Sequence, residues 1–244
     1  MDRQDSAQKV PDRFTYAVMP ELYLHPETDS LLVGDAGELT ADPNCCCNPR
    51  RVLIWTGNSS LGFEYSVQQL SSVYQNLGLT VDVLSALGNH TLSEYALIHW
   101  MSAVSDPPWW SQITGGTWKG RLHLTGEHNT FNGGTAANYV AGLSGVTGVS
   151  LTPEGIDSGC SHDGTVESNA LTAGCTVIKY ALTSRLSGGA TLSKTVTGSQ
   201  PWLARNKVGT IDFVVAGDSN HAIDGCNVVN THKRLFENMW NVPV

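Results

Sequence analysis

Several absences narrow the possibilities for this sequence. No apolar stretch reaches the roughly 18–20 residues that a membrane helix needs, so no membrane contact is expected. Positive charge is scarce: 14 Lys and Arg stand against 22 Asp and Glu, a formal net charge of −8. Nucleic acid is bound through a basic face. None is visible, so it is not expected as a partner. The first residues, MDRQDSAQKVPDRF, are polar and lack the apolar core of a secretory signal. The expectation is a cytoplasmic chain at synthesis, or one that leaves by a route needing no cleaved signal. No Cys-x-x-Cys spacing occurs, which argues against a zinc site. No cofactor is expected either.

What is present is an ordinary globular composition, with 41% hydrophobic and 15% charged residues. A length of 244 residues suffices for one well-buried domain with an extra arm, or for two small domains. Three of the six cysteines are consecutive, Cys45, Cys46 and Cys47. Neighbouring side chains of extended chain point to opposite sides, so the three do not readily share one metal. They read as thiols in a packed turn, or as an interface or crosslink tip. Cys160 and Cys175 bracket a polar loop and would pair in an oxidising compartment.

Residues 1–50 differ from the rest. Nine of the 22 acidic residues lie there and no helical period is present. Glu21 to His25 and Ser30 to Val33, separated by Pro26-Glu27-Thr28-Asp29 and followed by Gly34-Asp35-Ala36-Gly37, read as short strands joined by turns. Such an arm buries little by itself. Its apolar residues, among them Phe14, Tyr16, Leu22, Tyr23 and Leu31 to Val33, point to contact with other protein chains.

From Arg51 the pattern changes. Val52 to Thr56 is a continuous apolar run, as in a strand buried on both faces. Phe63, Val67, Leu70, Val73, Tyr74 and Leu77 then recur at helical spacing, closed by Gly78. Leu79 to Leu84 supplies a second strand, giving a parallel β-α-β unit. Further strands are expected at Tyr95–Trp100, Gly120–Thr125 and Ile211–Ala216. Helices are expected from Pro107-Pro108-Trp109-Trp110, over 135–143 and over 228–240, with Leu235, Met239 and Trp240 facing inward. Residues 148–208, rich in Gly, Ser and Thr, read as a β-rich excursion at the sheet's edge, including Thr176–Tyr180.

The runs Val52–Gly57, Gly120–Glu127 and Val214–Asn220, before a terminal helix holding Asn238 and Trp240, resemble the class I glutamine amidotransferase-like superfamily. The likeness is to its non-amidotransferase branches, the trehalose-utilisation-like and gliding or intraflagellar-transport-like domains. It implies an α/β fold: a flavodoxin-like parallel sheet with helices on both faces, here with the β-rich excursion and the extended N-terminal arm. In amidotransferases of this kind a nucleophilic cysteine follows the strand corresponding to Leu122–Thr125. Glu127 stands there instead, and a carboxylate is a far weaker nucleophile than a thiolate. The family's His-x-Glu pair is also missing, because His221 is followed by Asp224. Glutaminase activity is therefore not expected. The arm, from Tyr23-Leu24-His25-Pro26 to Cys45–Cys47, more distantly resembles segments of tailed-phage virion proteins, which implies a structural protein whose destination is a virion.

Ligands of open parallel sheets sit beyond the carboxyl ends of the strands. Those ends here carry Thr56, Asn58, Glu127, His128, Asn129, Asp218, Asn220 and His221. They make a candidate pocket for a carbohydrate or another hydroxylated ligand, or for a metal on Glu127, His128, Asp218 and His221. Alternatively they serve only to cap helices and satisfy turns. Three readings stand: a non-catalytic structural or assembly protein, a carbohydrate-binding module, and a hydrolase using Glu127 with His221 or a metal. With no activated nucleophile beside a base, the first leads.

Overall fold

In a computed structural model, the described residues are 31–33, 39–41, 50–60, 64–159, 161–222 and 229–244, with backbone alone for 31–33, 39–41, 64–66 and 229–231. The chain divides into two compact units, Met1–Asn48 and Pro49–Val244. In the first, β1 (Leu31–Val33) pairs antiparallel with β2 (Leu39–Ala41). The strand expected at Glu21–His25 and the tip at Cys45, Cys46 and Cys47 lie outside the described residues.

The second unit opens with β3 (Arg51–Trp55), α1 (Glu64–Gln75) and β4 (Thr80–Leu84). Gly78 takes a left-handed φ of 75° just past the helix and turns the chain back toward β4. β5 (Leu97–Trp100), α2 (Trp110–Thr114) and β6 (Gly120–Thr125) follow. The third strand is shorter than expected because Tyr95 closes a 3-10 turn over Leu92–Glu94. The helix expected from Pro107 begins only at Trp110, three residues further on.

After α3 (Thr135–Gly142) and α4 (Ser144–Thr147) come six strands within the excursion. They are β7 (Ser150–Ile156), β8 (His162–Val166), β9 (Ile178–Tyr180), β10 (Thr183–Ser187), β11 (Ala190–Lys194) and β12 (Pro201–Val208). Then β13 (Ile211–Ala216) and α5 (Val229–Asn241) complete the unit. The main sheet has nine strands in the order β4-β3-β5-β6-β13-β12-β11-β8-β9. The first five are mutually parallel, and from β12 outward each pairs antiparallel. β7 and β10 form a separate antiparallel pair.

Alternation along the strands sorts side chains between two cores. Val52 and Ile54 of β3 join Leu70, Val73, Leu235, Phe236 and Met239 of α1 and α5. Leu53 and Trp55 join Trp100, Trp109, Trp110, Ala137 and Val140, on the face of α2 and α3. Trp240, expected inward, is only half-buried, whereas Phe236 is fully buried. One buried cation holds α5 in place. Arg121 donates from Nε to Asp212 at 2.6 Å, and from its guanidinium nitrogens to the carbonyls of Met239 and of Val242, the latter at 2.9 Å. Asp212 also accepts from Arg205 Nε at 2.8 Å, so its charge is shared between two cations.

Candidate functional site

The register Ala216↔Thr125 sets the ends of β13 and β6 side by side. Their next residues are Gly217-Asp218-Ser219 and Gly126-Glu127. Glu127 and Asp218 are both buried. Glu127 accepts the hydroxyl of Ser219. Asp218 accepts the backbone N–H of Ala181 at 2.6 Å on one oxygen and that of Asn220 at 2.9 Å on the other. Burial, and then the neighbouring Asp218, lifts Glu127 to about 8. Burial lifts Asp218 to about 7 against the pull of its two backbone donors. A carboxyl group that keeps its proton near neutrality is an acid and a hydrogen-bond partner, not a nucleophile.

The excursion lies across this edge. Ser184 of β10 donates its N–H to the Gly217 carbonyl at 3.0 Å and its hydroxyl to the Glu127 carbonyl at 2.8 Å. The approach is so close that a Cβ at Gly217 would lie 2.1 Å from the Ser184 oxygen. Glycine is required there for space.

The ends of β3 and β5 are joined as firmly. Asn58, with a left-handed φ of 56°, accepts at its carbonyl from Val104 N at 2.9 Å and gives its amide to Ser105 Oγ at 2.8 Å. Ser59 bridges Ala103, Ser60 N donates to Ser102 O at 3.1 Å, and the Ser60 and Ser102 hydroxyls meet at 2.7 Å. Thr56 donates its N–H to Leu84 O at 2.9 Å.

The expected residues therefore do not share one pocket. Glu127 and Asp218 meet, with Asn220 serving Asp218 through its backbone. Asn58 belongs to the β3–β5 junction, whereas Thr56 is tied to Leu84 at the end of β4. His128 is half-buried beside Thr130 Oγ1 (2.8 Å) and Phe131, and burial lowers its pKa. Asn129 is exposed. His221 lies in the core: its Nδ1 meets Asp218 O at 2.7 Å and its Nε2 meets His123 Nε2 at 2.9 Å. With both nitrogens taken and no exposed surface, His221 has none to offer a water beside Glu127. Among the described residues no group of three His, Cys, Asp or Glu is placed to hold a metal ion. Cys175 is a free thiol, and the pairing expected with Cys160 falls on a residue outside those described.

Sequence reasoning missed Ser219, Ser184 and Ala181. It also missed Tyr74, His99, His123 and His232, which with His221 make a buried polar line. A signal for part of it exists: His99 and His123 each sit among apolar neighbours in adjacent strands.

No family model matches this chain, and no curated protein matches it. Solved structures do. The N-terminal domain of mmIFT52 superposes with a TM-score of 0.53 at 11% identity, covering 77% of this chain and 93% of that one. A cytoplasmic protein from Salmonella typhimurium LT2 gives 0.53 at 13%, covering 78% and 99%. A putative ThuA-like protein from Parabacteroides merdae gives 0.52 at 13%, covering 79% and 90%. At these identities the likeness shows the fold, an α/β architecture with one large mixed sheet, and nothing of the chemistry. Among the described residues no helix is long and apolar enough to cross a membrane.

Proposed function

We propose that this chain is a non-catalytic structural or assembly protein on a flavodoxin-like, class I glutamine amidotransferase-like core, acting on other protein chains through its N-terminal unit. The order of the five parallel strands supports the core assignment. Counted among themselves they run 2-1-3-4-5, the flavodoxin-like order. The likeness to the ThuA-like protein and to the mmIFT52 domain supports its non-amidotransferase branches. A virion is the setting that the arm's segments suggest.

One observation carries the non-catalytic reading. The strand-end edge, where such folds take ligands, is filled by the chain itself: Ala181 and Ser184 cover β6 and β13, and Ser59, Ser60 and Ser102 join β3 to β5. The polar groups there are spent on one another. The carbohydrate reading has less support, since among the described residues the Phe, Tyr and Trp rings that reach the surface, those of Phe131, Tyr139 and Trp240, do so only in part.

The test has two arms. Purified full-length protein given glutamine should release no ammonia above the uncatalysed background, and Glu127→Ala should change nothing. Removal of residues 1–44 should leave a folded chain that has lost self- or partner association by sedimentation. A truncated chain that associates normally but unfolds far more easily would mean that the arm belongs to its own core.

A further inference from the structure

Between the sheet and the α1/α5 face runs an unbroken line of hydrogen-bonded rings. Tyr74 Oη lies 2.7 Å from His99 Nε2, His99 Nδ1 lies 2.8 Å from His123 Nδ1, and His123 Nε2 lies 2.9 Å from His221 Nε2. The line ends at the Asp218 carbonyl, 2.7 Å from His221 Nδ1. None of the four side chains has exposed surface. A side branch continues it: His232 Nδ1 meets the His221 carbonyl at 2.7 Å and His232 Nε2 meets Lys179 N at 2.5 Å.

The partners at the ends dictate every proton. A carbonyl oxygen only accepts, so His221 carries its proton on Nδ1 and its Nε2 is bare. His123 must then donate from Nε2 and accept at Nδ1. His99 must donate from Nδ1 and accept at Nε2, from the Tyr74 hydroxyl. On the branch, Lys179 N–H only donates, so His232 is bare at Nε2 and donates from Nδ1. Each ring thus has one donor and one acceptor, both used, and all four are neutral.

The line has room for at most one extra proton. A proton on His221 reverses the tautomers of His123 and His99 and turns Tyr74 into an acceptor. A second has no place. Two adjacent charged rings set N–H against N–H, and charged His99 and His221 would require neutral His123 to accept at both nitrogens. The surroundings disfavour even the first. Arg121 on β6 is the charge acting on Tyr74 and Lys179 on β9 the one acting on His232; both are positive. Asp212 on β13 is engaged by Arg121 and by Arg205 of β12. The Asp218 carboxyl is turned to Ala181 and Asn220, Glu127 to Ser219, and among the described residues no carboxylate bonds to any of the four rings. Among the described side chains of α5 the line meets Phe236 and His232.

We propose that this line is an acid-release latch, which fastens α1, α5 and β9 to the sheet while its rings are neutral and opens as one unit when they must take protons. Opening frees the apolar face carried by Leu70, Val73, Leu235 and Phe236. The latch is independent of any assembly role. Burial works in its favour, holding His99 down to about 3 and His232 to about 4, and His123 and His221 well below the ordinary imidazole range.

The test uses the full-length, nitrogen-15-labelled chain, with imidazole spectra and amide exchange followed from about pH 8 to about pH 4, across the ordinary histidine range. The expected result is protons on Nδ1 of His99, His221 and His232 and on Nε2 of His123. No ring should titrate singly, and their signals should be lost together over the interval in which the amides of Leu70–Tyr74 and Leu235–Met239 lose protection. Any of these rings titrating alone in the folded chain near the ordinary value of about 6.5 overturns the latch. So does a different tautomer order, or α1 and α5 amides that stay protected while the rings become charged.

Discussion

The two faces of the sheet solve the same packing problem with opposite chemistry. Toward α2 and α3, Trp55, Trp100, Trp109 and Trp110 pack edge to face, with ring centroids 5.4–6.4 Å apart. There the indole N–H groups of Trp55 and Trp109 find no acceptor among the described residues. Toward α1 and α5, successive histidines leave no ring nitrogen unpaired. Adjacent residues of β5 show the contrast: His99 faces one side and Trp100 the other. Dispersion and apolar area have no proton dependence, whereas a satisfied line of neutral imidazoles holds only where imidazole is neutral. Acid should therefore act on one side of this sheet first.

The largest effect should come from the aromatic side. Trp109→Ala removes a fully buried ring and should lower the unfolding free energy by about 3–5 kcal/mol. In urea titrations the loss should be the same at neutral pH as at mildly acidic pH. A loss that changed with pH would break the contrast.

His123→Leu, on the other face, leaves the His99 N–H donor and the His221 acceptor buried without partners. At about 1–3 kcal/mol for each orphan, the expected loss is about 3 kcal/mol at neutral pH. It should shrink on acidification, because these imidazoles are held below their unfolded value of about 6.5. Their contribution is fully present above that value and falls as pH drops toward the folded values. A loss that grew as the pH fell would contradict this account.

At the strand ends, Gly217→Ala drives a methyl group into the Ser184 carbonyl and should lower stability by about 1–3 kcal/mol through forced displacement of the cover. Thermal melts of the variant measure it; an unchanged melting temperature would show that Ser184 does not press on β13.

Glu127→Gln should act with the opposite sign. Glu127 is raised from an ordinary 4.5 to about 8. Its contribution is therefore complete below about pH 4.5 and lost as pH rises through about 8. The variant should match the parent in acid and be the more stable of the two near pH 9. A variant equal to the parent at both ends would remove the buried acid pair from the account.

The parallel strands were legible because burial on both faces writes them as apolar runs, such as Val52–Trp55 and Phe213–Ala216. α1 was legible because Val67, Leu70, Val73 and Tyr74 keep a helical period. The histidine line was not, because it depends on the register that places His99 opposite His123 and on the fold of the chain after β13. Sequence spacing between residues 99, 123 and 221 encodes neither. Glu127 and Asp218 could be named as strand-end groups, but their closure by Ala181 and Ser184 could not. That contact comes from a segment whose Gly, Ser and Thr content announces strands and says nothing of where they dock.

The place of β13 in the sheet sets the order in which the molecule is completed. Among the described residues it is the one strand joining β4-β3-β5-β6 to β12-β11-β8-β9, yet it follows all of them along the chain. Until Ile211–Ala216 has emerged, the nascent chain holds two half-sheets whose inner edges, β6 and β12, present unpaired backbone groups. The final strand closes both edges in one insertion, parallel to one neighbour and antiparallel to the other. A message truncated near Gly209 would thus yield two open templates for mispairing in place of a slightly shortened protein.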